Sequence, residues 1–203
     1  MKGTFTVSDS KTLFHKDFPF VIPSLYKRIV DEMLVELNLL NNQAEFKQEK
    51  FFCIGFRETF KELTKGYEPK KNIEQLFQAL CISTNFEHEK ITNTANKALD
   101  EYKDKTLNEI FELIKNGTKE KVFYSRIFIL GIYTVICSAS DYSDDLDINK
   151  TEIIKYIISL LEIPSSRIDK DISLYKSSIK KLEQAESLLA ETIKSERKKR
   201  GVK

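Results

Sequence analysis

Between residues 165 and 200 the chain contains neither glycine nor proline. Within that stretch Ile168, Ile172, Tyr175, Ile179, Leu182, Leu189 and Ile193 recur at alternating spacings of four and three, with Glu186 interrupting the series. Such spacing is the heptad seam of a long helix, and most of the other positions are Lys, Glu, Ser or Gln. At 1.5 Å per residue the helix is roughly 50 Å long. Its seam has two uses, pairing with another chain or packing on its own body. Tyr175 and Glu186 are poor choices for an autonomous dimer. The favoured arrangement is a monomer in which the first half of the helix packs on the body and the second half projects.

The rest of the chain reads as shorter helices. A helical turn is expected over 8–15 and an extended segment over 17–23, which holds two prolines. Pro23 then opens a helix, where its missing N–H costs nothing. Leu25, Ile29, Val30, Met33, Leu34, Leu37 and Leu40 follow at helical spacing, and Asn41 and Asn42 end the run. Further helices are expected over 48–65, 71–83, 86–102, 106–117, 121–138 and 150–162. Gly66 and Pro69 stop the first of these, and Thr106 with Glu109 gives a capping-box pattern for the fourth. The 121–138 helix is apolar around much of its circumference and belongs at the centre. Gly55 and Gly131 sit inside helices, where glycine costs about 1 kcal/mol against alanine. A close helix–helix approach explains both. The fold class is all-α: a multi-helix bundle body with a long C-terminal coiled-coil-like helix. The divisions are an N-terminal segment (1–22), a helical body (23–162) and the long helix with a basic end (165–203).

Composition supports this reading. There are fourteen phenylalanines and eight tyrosines for a core, and only six glycines and four prolines. Charged residues make up 32% but the net charge is only +2, which argues for solvated helix faces and against a globally basic nucleic-acid binder. Cys53, Cys81 and Cys137 are scattered among apolar residues, unlike a disulfide framework or a zinc site. The longest apolar run, 127–139, falls short of the ~20 residues a bilayer span needs. No secretory or transit segment is read at the N-terminus, so a soluble protein is expected.

Little in the sequence can carry catalysis. His15 and His88 have no catalytic spacing to a Cys, Ser or carboxylate, and no glycine-rich phosphate loop exists. The strongest chemical candidate is the acidic loop holding Asp141, Asp144, Asp145 and Asp147. Asp145, Asp147 and Asn149 match the first three ligand positions of an EF-hand loop, but Lys150 and Tyr156 then stand where glycine and glutamate are needed. A metal-dependent helical enzyme is thus the weakest reading, and no catalytic, metal or cofactor residue is assigned. The other candidate is the basic end, with Arg197, Lys198, Lys199 and Arg200 as a partner or membrane contact. Each basic residue near an anionic surface contributes about 1 kcal/mol. No aromatic residue interleaves with this patch, which weakens a nucleic-acid reading further.

Several segments carry a resemblance when taken in order: Thr6-Val-Ser-Asp-Ser-Lys11, the helix over 26–40, Gly55, Phe60 and Gly66-Tyr67-x-Pro69. Further along come Phe77-x-Ala79-Leu80-Cys81, Ser125-Arg126-x-Phe128 with Gly131 and Tyr133, Asp171-x-x-Leu174-Tyr175, Glu183-Gln-Ala185 and Glu196-Arg-Lys-Lys199. Over nearly its whole length the chain resembles the thylakoid formation, or photosystem II biogenesis, family of oxygenic phototrophs, in a bacterial, non-plastid form. The resemblance implies a helical body with a C-terminal coiled-coil helix. It implies a non-catalytic role in thylakoid organisation and photosystem II assembly or repair, exerted by binding and supporting an FtsH-type membrane protease complex. It further implies a peripheral position on the cytoplasmic side of the thylakoid membrane, no cofactor and no nucleic-acid partner. An alternative is a peripheral protein that organises the membrane by binding anionic lipid.

Overall fold

The computed structural model describes residues 5–117, 123–142, 155–156, 159 and 167–201. The fold is all-α: the described residues form helices and connecting turns, with no strand among them.

The centre is a crossing of two helices, α3 (Lys50–Leu63) and α7 (Arg126–Cys137). A Cβ on Gly55 would lie 1.8 Å from the backbone oxygen of Ile127, and one on Gly131 would lie 1.8 Å from that of Phe51. The two glycines therefore face each other and bring the backbones into direct contact. The helical cost of each glycine is offset by that approach, which buries Phe51, Phe52, Phe56, Ile127, Phe128 and Ile132. Ser125 starts α7 by accepting a hydrogen bond on its hydroxyl from the Phe128 N–H at 3.1 Å. This cap places the start at residue 126, five residues later than the start at 121 expected from the sequence, and 123–125 lie outside any helix.

Around this crossing lie α1 (Val7–Asp17), α2 (Ser24–Asn41), a 3₁₀ turn (Lys70–Asn72), α4 (Ile73–Ser83), α5 (His88–Tyr102) and α6 (Leu107–Gly117). Helix α1 buries Phe14, and Phe18 just past its end, against the body and packs on α2 and α4. Asn38 of α2 secures it by donating to Ser10 Oγ (2.8 Å) and to the Phe5 carbonyl (3.0 Å). Helix α4 ends in a left-handed turn at Asn85, φ 61°. The Phe86 N–H returns to the Cys81 carbonyl (2.8 Å) and the Asn85 N–H to that of Ile82 (3.1 Å), a Schellman closure. Phe86 is thereby buried as the apolar plug of that turn, and α5 starts two residues later than expected.

Helix α6 begins with the expected box, in which Glu109 accepts from the Thr106 N–H at 2.8 Å. Asp141 adds a second cap by accepting from the Leu107 N–H at 2.9 Å. The rest of the acidic loop, 143–148, lies outside the described residues, as does most of the expected 150–162 helix; residues 155, 156 and 159 are helical. The last helix, α8 (Ile168–Gly201), is one continuous element. No helix among the described residues is long and apolar enough to cross a membrane.

Candidate functional site

Helix α8 has a seated half and a free half. Ile168, Ile172 and Leu182 are buried, and Tyr175 and Ile179 pack partly buried against the same core, on α3 and α7. Two tyrosines fasten the seat. The Tyr124 hydroxyl donates to Asp171 Oδ2 at 2.7 Å, near the start of α8. The Tyr26 hydroxyl donates to Glu186 Oε1 at 2.6 Å, fifteen residues further along the same helix. Burial, and then the bonded carboxylate, push both phenols well above their ordinary value of 10.

 Residues 171–186 are thus clamped at both ends. Gly66 makes room for the second clamp, because a Cβ there would lie 1.9 Å from Glu186 Oε1. Glu186 therefore ends the docked seam as a polar fastening, where the sequence alone reads it as a defect.

The opening of α7 ties α8 to α2. Next to Tyr124, Arg126 hydrogen-bonds Glu36 of α2. Burial raises the Glu36 carboxyl above its ordinary value of 4.5, and Arg126 only partly offsets this. On the outer side of this pair an open groove of about 840 Å³ runs along α2. Val35, Leu39 and Phe123 give it apolar surface, and Leu39 is 52% exposed. Its rim carries the pairs Lys11–Asp31 (3.6 Å) and Arg28–Glu32 (2.8 Å).

Beyond Glu186 every described side chain of α8 is exposed. Leu188, Leu189 and Ile193 are 64%, 53% and 50% exposed. Arg197, Lys198, Lys199 and Arg200 all fall in the last turns of this free half; Lys198 is exposed, and the other three side chains lie outside the described residues. The sequence reading centred on these four residues and did not single out Leu188, whose position beside the heptad seam hid it.

The remaining polar clusters hold the fold together. Arg57 donates to Glu74 Oε2 at 2.9 Å and lies 4.5 Å over the Phe77 ring, while His88 Nε2 sits 2.6 Å from Glu74 Oε1. This arrangement joins α3, α4 and the start of α5. Burial pushes the Cys53 thiol up to about 11 and the Cys81 thiol up to about 12, so neither is a ready nucleophile. Among the described residues no group of three or more His, Cys, Asp or Glu is placed to hold a metal ion.

These features define a class: an all-helical body bearing one long, half-seated helix, with polar pairs that fasten this helix and its neighbours together. Residues 6–203 match the family model described as thylakoid formation protein, and the chain belongs to that family. It is 54% identical over 201 residues to Protein Thf1 of Prochlorococcus marinus subsp. pastoris (strain CCMP1986 / NIES-2087 / MED4), covering 98% of this chain and all of that one. It is 34% identical over 204 residues to Protein Thf1 of Synechococcus sp. (strain CC9605), covering 98% of this chain and 94% of that one. The solved structure of Psb29 superimposes with a TM-score of 0.85 at 26% identity, covering 97% of this chain and 98% of that one. The family is named for thylakoid formation and not for a reaction.

Proposed function

We propose that the protein is a non-catalytic accessory factor of thylakoid biogenesis and of photosystem II assembly and repair, acting as a monomer that binds and supports an FtsH-type membrane protease complex. Its place is peripheral, on the cytoplasmic side of the thylakoid membrane, without cofactor or nucleic acid. Membership of the thylakoid formation family supports the setting. The observation that carries the docking role is the α2 groove, which offers apolar surface at Val35, Leu39 and Phe123 inside a rim of paired charges. An apolar centre within a polar rim is the anatomy of a protein contact.

The test uses the full chain as bait on detergent-solubilised thylakoid membranes, with the protease quantified by mass spectrometry. The wild type recovers the protease. Leu39→Asp lowers recovery about tenfold, the effect of losing a central apolar anchor, and leaves the melting temperature in place because Leu39 is already exposed. A wild type that recovers no protease rejects the role. Full recovery by Leu39→Asp rejects the groove.

A further inference from the structure

We propose that the free half of α8 is a lipid-surface element, whose apolar stripe enters the headgroup boundary of a membrane rich in anionic phospholipid while its basic end binds the headgroups. Leu188, Leu189, Thr192 and Ile193 fall at i, i+1, i+4 and i+5, which places them on one face. The three large aliphatic residues among them are each half exposed or more. That is a contiguous apolar strip on an otherwise highly charged helix.

The hydroxyls along this stretch add an independent observation. Thr192 Oγ1 donates to the Leu188 carbonyl at 2.8 Å, and Ser195 Oγ donates to the Thr192 carbonyl at 2.8 Å. Both groups are satisfied by the helix itself and need no water. Entry into an apolar boundary therefore leaves neither hydroxyl unbonded.

Charge selects the surface. Residues 187–203 contain six basic and two acidic side chains. An apolar stripe with a basic cluster supplies the two signals that stable surface binding requires. A second copy of the chain is a poorer occupant. Like-charged ends would meet in a parallel pair. The free half is roughly 22 Å long and 10 Å wide, too small a footprint for the 1,200 Å² or so of a stable interface.

The experiment is flotation of the full chain with protein-free vesicles of phosphatidylcholine, with and without phosphatidylglycerol. It needs no protease, so its result is separate from that of the groove. The wild type floats with the phosphatidylglycerol vesicles and stays down with phosphatidylcholine alone. A variant carrying Leu188→Asp and Ile193→Asp loses about tenfold or more of this binding. A variant with Arg197, Lys198, Lys199 and Arg200 changed to Ala loses as much, together with the salt dependence. Unchanged melting temperatures show that the body of each variant is folded. Flotation of the Asp variant equal to wild type overturns the proposal, since charge alone would then suffice. Absence of wild-type flotation also overturns it. A chromatographic dimer that the Asp pair dissociates would assign the stripe to a second copy instead. Loss of protease recovery by the Asp pair, without wild-type flotation, would assign it to a protein partner.

Discussion

Glu74 shows how single side chains in this protein serve the joints between helices. Its burial alone would raise the carboxyl, but the Arg57 hydrogen bond and His88 outweigh that and hold it below its ordinary value of 4.5. A carboxyl lowered by folding contributes stability above 4.5, and that contribution is lost as pH falls through the folded value. The prediction is an acid limb in which Glu74 takes part. Urea unfolding from neutral pH down through the carboxylate range should show less loss for Glu74→Gln than for wild type. The difference should be no more than about 1 kcal/mol, because Glu74 is largely exposed and well screened.

At the scale of elements the α3–α7 crossing dominates. A methyl group at Gly131 would enter the Phe51 carbonyl, and one at Gly55 the Ile127 carbonyl. In each case the obstacle is backbone, which no rotamer change can relieve. Gly131→Ala should destabilise the chain by about 3 kcal/mol or more, at the upper end of overpacking costs, read as a fall in thermal midpoint. An exposed helical glycine would gain about 1 kcal/mol from the same change. The sign therefore separates close approach from mere helix propensity. Both glycines were legible in the sequence as helix-interior anomalies requiring a close neighbour, and the neighbour of each proved to be the other. The start of α7 was less legible, because apolar residues run back to Phe123 while the Ser125 cap starts the helix at 126. Asn85 and Phe86 were hidden for a related reason. A left-handed asparagine closing a helix has no apolar pattern to announce it, and Phe86 reads equally well as the first residue of the next helix. Glu186 was misread because a heptad register counts it as a polar intruder. Its partners, Tyr26 and Gly66, are far away in sequence. The α2 groove had no sequence signal, since Val35 and Leu39 fall within an ordinary amphipathic pattern.

On the scale of the whole molecule, α8 belongs to the body as far as Glu186 and leaves it beyond. Removal of residues 187–203 takes away exposed side chains only, among those described. Its expected effect on the thermal midpoint is slight. Removal of 166–203 strips Ile168, Ile172 and Leu182 from the core, each contributing about 1.5–3 kcal/mol through burial. That truncation should lower the midpoint steeply or abolish folding. Equal effects of the two truncations in calorimetry would show that the seat and the free end are not separable. The shorter truncation is consequently the sound way to remove the arm, because any loss of binding it causes is not a loss of fold.

The continuity of α8 has a geometrical consequence. Nothing between the Tyr26–Glu186 fastening and Gly201 breaks the helix. The free half is then a stiff spoke, and each residue in it sets both a reach of 1.5 Å and a turn of about 100°. Removing two residues from the spoke would shorten it by only about 3 Å but swing its outer face to nearly the opposite side. Length and heading are coupled in such a part, so evolution can lengthen it freely only in steps close to whole turns.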